Sequence, residues 1–87
     1  MDSYEFQKKC KEWLISYYKE EFKIDLKIED IYVVWSCKTL QNNKILASTN
    51  LSDGMYFEFT RNGDKKETYF DAYKKQLNYV IGLWGGK

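Results

Sequence analysis

The chain has 87 residues, 44% hydrophobic and 18% aromatic, with 14 Lys and Arg against 13 Asp and Glu for a formal charge of +1. That length supports one core and a single domain over residues 1–87, and 3 Trp, 8 Tyr and 5 Phe supply apolar area that a small core otherwise lacks. Near-neutral charge speaks against a strongly basic nucleic-acid binder and against an acidic mimic of DNA, and the aromatic content speaks against a disordered tail.

In chain order, Asp2 with Glu5 resembles a capping box, and Phe6, Cys10, Trp13, Leu14, Tyr17 and Phe22 recur at near-helical spacing behind it. A helix over roughly Ser3 to Glu21 is predicted, with Lys8, Lys9, Lys11, Glu12, Lys19 and Glu20 on its solvated side. Lys23 to Asp30 reads as an extended connector in which Ile24, Leu26 and Ile28 alternate with charges. Ile31 to Thr39 is rich in β-branched and aromatic residues and reads as a strand. Gln41-Asn42-Asn43 reads as its turn and Ile45 to Thr49 as the returning strand. The register of this hairpin stays open, because a two-residue turn would pair Cys37 with Ser48 and a three-residue loop with Ala47.

Ser52-Asp53-Gly54 is a turn, and Met55 to Arg61 alternates Met55, Phe57 and Phe59 against Tyr56, Glu58 and Thr60, as a half-buried strand does. Asn62-Gly63-Asp64 then leads to a fourth strand from Glu67 to Phe70. A loop through Lys65 would set Phe57 opposite Phe70 and avoid the like-charge pair of Glu58 and Glu67 that a two-residue turn creates. Either register places Met55, Phe57, Phe59, Thr68 and Phe70 on one face. Asp71 to Ile81 carries Tyr73, Leu77, Val80 and Ile81 at helical spacing between an N-cap Asp and Gly82, so a short closing helix is expected there. The fold class is α+β: an N-terminal amphipathic helix packed on a three- to four-stranded antiparallel meander, with a short C-terminal helix.

Chemistry is sparse. The chain has no His, which removes the commonest general base and metal ligand together. Cys10 and Cys37 match no zinc spacing, and Cys37 reads as a buried structural thiol, since Lys38 beside it on a strand faces the other way. Asp25, Glu29 and Asp30 fit no EF-hand or carboxylate dyad and read as loop solvation, and no Gly-rich run cradles a phosphate. No catalytic residue, metal or cofactor is assigned, and an enzyme is not expected. Lysines interrupt the first apolar residues, so neither a signal peptide nor a membrane span is expected, and a cytoplasmic chain with reduced thiols is.

Basic and aromatic residues interleave after Ile31. Tyr32, Tyr56 and Tyr69 fall on strand faces opposite the core, with Lys38, Lys74 and Lys75 nearby, and these six form the candidate partner-binding set. If the first helix covers only the face carrying Trp35 and Phe57, then Tyr32, Val34, Tyr56 and Tyr69 need another cover. Either the chain's own end, with Leu77 and Trp84, or a partner chain supplies it. Ordinary strand tyrosines with edge lysines that discourage aggregation are the blander account of the same residues.

VVWSCKTLQNNK, SDGMY and NGDKKETYFDAYKK, within Ile31 to Lys75, resemble strings in small proteins encoded by phages and prophages of Gram-positive bacteria, a domain of unknown function. The resemblance implies a host-cell cytoplasm and carries over no mechanism. The leading expectation is a non-enzymatic phage accessory protein that binds a host or phage protein through the aromatic sheet face. A single-stranded nucleic-acid binder, with Tyr56 and Tyr69 stacking on bases, is the alternative, and a homodimer through the same face is a third reading.

Overall fold

The structure, a computed structural model, describes residues 2–77. Helix α1 spans Ser3–Phe22. Asp2 caps it: the carboxylate Oδ1 accepts the Glu5 amide at 2.8 Å, which satisfies one of the donors a helix start leaves open. At the other end Lys23 takes a left-handed φ of 58° and returns its amide to Lys19, closing the last turn. Phe6, Cys10, Leu14 and Tyr18, four residues apart, form the buried stripe.

A short 3-10 turn, Ile28–Asp30, leads into four strands: β1 Ile31–Thr39, β2 Asn42–Thr49, β3 Met55–Asn62 and β4 Glu67–Lys74. They lie in chain order β1-β2-β3-β4 with every neighbour antiparallel, so the sheet is the expected meander, and among the described residues its two edges, β1 and β4, are free. Asp30 pins the entry to β1: its Oδ2 accepts the Lys27 amide at 3.0 Å and its Oδ1 accepts Asn50 Nδ2 at 3.2 Å. Both bonds favour the anion, the Lys27 amide foremost, and hold this carboxyl below the ordinary value of 3.8.

The helix covers one face of the sheet. Beneath it lie Ile45 and Ala47 of β2 and Phe57 and Phe59 of β3, all buried, with Phe70 of β4 stacked on Phe57 at 5.7 Å between ring centroids. Trp13 and Tyr17 reach from the helix over the same rings, Trp13 to Phe70 at 4.3 Å and Tyr17 to Phe70 at 5.1 Å. Tyr18 adds a polar tie. Its hydroxyl donates to Asp53 Oδ2 at 2.6 Å, and Asp53 Oδ1 accepts the Met55 amide at 3.2 Å, fixing the β2–β3 turn under the helix end. Burial, with the Asp53 carboxylate beside it, raises the Tyr18 phenol well above its ordinary range, and burial alone pushes the Cys10 thiol up to about 12.

The expectation of a closing helix from Asp71 is corrected. Residues Asp71 to Lys74 continue β4, with Ala72 opposite Phe57 and Lys74 opposite Met55; positions 78–81 lie outside the described residues. The same apolar letters fit both periods, and a full-length β3 partner decided for the strand. The register of this hairpin also shifts by a residue pair, to Phe59 opposite Phe70 and Asn62 opposite Glu67, with a loop over residues 63–66. The facing set of Met55, Phe57, Phe59, Thr68 and Phe70 stays on one side, as even shifts require. In the first hairpin the turn is Leu40-Gln41, not the asparagines, and Cys37 pairs with Lys44. Leu40 takes the positive φ of 54°. The two hairpin tips touch: the Gly63 amide donates to Asn42 Oδ1 at 3.1 Å, and a Cβ on Gly63 would lie 2.1 Å from the Gln41 carbonyl oxygen.

A bulge separates Val33, opposite Ala47, from Trp35, opposite Leu46. Val34 is the extra residue, and it reverses the phase of the strand beyond it. Trp35 and Cys37 therefore leave the helix side, where the uninterrupted alternation places Trp35, and Cys37 is exposed and not buried.

Candidate functional site

The sheet face away from α1 is assembled by the pairing itself, since residues directly opposite in antiparallel strands share a face. From β1 come Tyr32, Trp35 and Cys37; from β2, Lys44, Leu46 and Ser48; from β3, Tyr56, Glu58 and Thr60; from β4, Glu67, Tyr69, Asp71 and Tyr73. Trp35 is 43% exposed and Tyr73 51%, and Tyr32 and Tyr69 fall between them. Among the described residues no second layer lies over this face.

Polar contacts order it. Lys44 Nζ lies 3.4 Å from Glu58 Oε2 across the β2–β3 pair, and the Tyr73 hydroxyl donates to Glu58 Oε1 at 3.3 Å. Tyr69 donates to Glu67 Oε1 at 2.7 Å. These carboxylates act on the phenols: the Glu58 charge raises Tyr73, and the hydrogen bond to Glu67 raises Tyr69. At the buried margin the Ser48 hydroxyl donates to the Met55 carbonyl at 2.7 Å.

The face has two halves. The β1–β2 half, with Tyr32, Trp35, Leu46 and Cys37, is apolar and aromatic. The β3–β4 half alternates phenols with carboxylates, Tyr56, Tyr69 and Tyr73 among Glu58, Glu67 and Asp71. Three carboxylates thus stand against one lysine, Lys44, which is already ion-paired, although the chain as a whole is slightly basic.

The structure brings Tyr32, Tyr56 and Tyr69 together on this face, as their alternation in the sequence indicates. It does not gather the three lysines with them. Lys38 is opposite buried Asn43 and Lys74 opposite Met55, both on the helix side, and Lys38 Nζ donates to the Leu40 carbonyl at 3.2 Å. Lys75 lies just past β4, its amide bonded to the Gly54 carbonyl at 2.8 Å. Trp35, Leu46 and Tyr73 join the face without having been anticipated. The even, four-residue step from Tyr69 to Tyr73 is a legible signal for Tyr73. Nothing in Val33-Val34 marks a bulge, so Trp35 carries none.

Among the described residues no group of three or more His, Cys, Asp or Glu side chains gathers as a metal site would require, and no helix is long and apolar enough to cross a membrane. Residues 7–83 match a family of unknown function, DUF6275, and the chain belongs to that family. No curated protein and no solved structure matches the chain.

Proposed function

We propose that this family member is a non-enzymatic binding module that engages a protein partner through the open sheet face, centred on Trp35, Tyr56, Tyr69 and Tyr73. The observation that carries the reading is the division of labour in the sheet. Buried Phe57 and Phe59 supply the core on one side, while Tyr32, Trp35, Tyr69 and Tyr73 on the other remain about half exposed without contributing to it. A contiguous aromatic surface of this kind marks an interaction site more often than a solvated face, and tyrosine and tryptophan are the residues that concentrate binding energy.

Charge supports a protein over a nucleic acid. Stacking on single-stranded bases works with cations along the phosphates, and here the rings sit among Glu58, Glu67 and Asp71, whereas Lys38 and Lys74 are on the helix side. Protonated phenols and carboxylates suit the backbone amides and basic side chains of a protein. The likeness of the strand sequences to phage and prophage proteins supports a setting in the cytoplasm of an infected bacterium, where an accessory protein of this size acts by occupying a host or phage surface.

The test is capture from infected host cells with tagged wild-type protein and with the double variant Trp35→Ala/Tyr69→Ala, in nuclease-treated and untreated arms. A partner retained by wild type after nuclease, and lost from the double variant, is the expected result. Retention by both proteins, or loss of the partner on nuclease treatment, would refute the reading.

A further inference from the structure

Among the described residues, the pairing of β4 leaves one side of its backbone unoccupied. Lys75 donates to Gly54, and this bond fixes which residues of β4 turn their amides and carbonyls toward β3: Glu67, Tyr69, Asp71 and Tyr73. Thr68, Phe70, Ala72 and Lys74 therefore aim theirs out of the sheet. This edge is regular over its whole length, whereas the opposite edge, β1, is interrupted by the bulge at Val34. The helix does not shield it either: Thr68 and Ala72, on the helix side of β4, are exposed. A straight, unprotected edge is a template for another strand.

We propose that β4 pairs antiparallel with β4 of a second copy of this chain, Phe70 opposite Phe70 at the two-fold axis, joining two meanders into one continuous sheet. The side chains choose that occupant and that register. A two-fold normal to the sheet keeps both helices on the same side, so only like faces can meet and the registers differ by steps of two. With Phe70 on the axis, Thr68 faces Ala72 of the other copy, Tyr69 faces Asp71, and Glu67 faces Tyr73. Each carboxylate then has a phenol opposite it, and the outward amides of Thr68, Phe70 and Ala72 meet carbonyls of the same three residues.

The neighbouring registers are worse. Centring on Asp71 sets two carboxylates directly opposite each other, and centring on Ala72 puts Phe70 opposite Lys74 and leaves Glu67 beyond the ladder. A single strand seam is a small interface, so the dimer is expected to be concentration-dependent. It lies at the edge, leaves the open aromatic face free in both copies and sets the two faces side by side. The proposal stands whether or not that face binds a protein.

Ala72→Pro is the diagnostic variant. Its amide has no partner among the described residues, so proline there removes none of their hydrogen bonds but blocks the seam. Mass measurement across a hundredfold range of concentration is expected to show wild type passing from monomer to dimer and Ala72→Pro remaining monomeric with an unchanged circular dichroism spectrum. In a Cys37→Ser background, Thr68→Cys and Ala72→Cys proteins mixed under mild oxidation are expected to give the mixed disulfide dimer, and Ala72→Cys or Asp71→Cys alone to give none. A wild type that stays monomeric throughout, or a dimer that folded Ala72→Pro retains, overturns the seam. Efficient cross-linking of Ala72→Cys or Asp71→Cys alone overturns the register.

Discussion

The two faces of this sheet share the same strands and both carry aromatic rings, yet they serve different ends. Phe57 and Tyr56 are adjacent in β3, one fully buried beneath α1 and the other half-buried on the open side. The helix face is closed by aromatic packing from Trp13, Tyr17 and Tyr18. The open face has a comparable supply of rings and no described element to receive them. Aromatic content alone therefore does not locate a core; what receives the rings does.

The sharpest way to break this contrast is a pair of truncations. Phe57→Ala is expected to cost about 3–5 kcal/mol, a large part of the stability of a domain this size, because it empties the centre of the packed layer. Trp35→Ala, a larger truncation on the open side, is expected to cost less, about 1–2 kcal/mol, since the ring is 43% exposed and its loss leaves no closed cavity. Urea denaturation of both variants checks the ratio, and equal losses would mean that the open face is core.

Tyr18→Phe sharpens the account of the closed side. Losing the bond to Asp53 is expected to cost about 1.5–3 kcal/mol, the range for hydrogen bonds to charged groups, read in the same denaturation experiment. The pH dependence has a definite sign. A phenol raised in the folded state contributes its full stability below the unfolded value of 10.0 and loses it as pH climbs beyond that, so wild type should weaken above pH 10 more steeply than Tyr18→Phe. Asp30 works in the opposite sense. Its lowered carboxyl stabilises the fold above the ordinary value of 3.8 and ceases to as pH falls below it, an acid limb that Asp30→Asn should lack. The smallest effect belongs to neither face: Leu40→Gly relieves a positive φ at the hairpin tip and is expected to raise stability by up to about 1 kcal/mol, seen as a higher Tm.

Much of this architecture is legible in the letters. The Asp2 cap, the buried helix positions Phe6, Cys10 and Leu14 and the alternation of β3 are local signals, each backed by a hydrogen bond or a burial pattern in the structure, whereas Tyr18, which completes the stripe, falls outside the spacing set of Trp13, Tyr17 and Phe22. Tyr32, Tyr56 and Tyr69 are legible as one face for the same reason. What is hidden is what depends on pairing partners. The extra residue at Val34 reverses Trp35 and Cys37 without any mark in the sequence, since two valines suit a regular strand equally well. Asp71 with Tyr73 satisfies a helix start and a strand, and the choice falls to the length of β3 beside it. Lys38 and Lys74 lie near the tyrosines in sequence but on the other side of the pleat, a consequence of the bulge in one strand and of the continued strand in the other.

The central claim is that one side of the sheet is sealed by α1 and the other is available. Hydroxyl-radical footprinting of the purified protein reads this ring by ring. Trp35, Tyr69 and Tyr73 should oxidise rapidly and Tyr18 and Phe57 hardly at all, with Trp35 and Tyr69 becoming protected once the captured partner is added. Protection of Trp35, Tyr69 and Tyr73 in the isolated protein, at the level of Tyr18, would contradict the account.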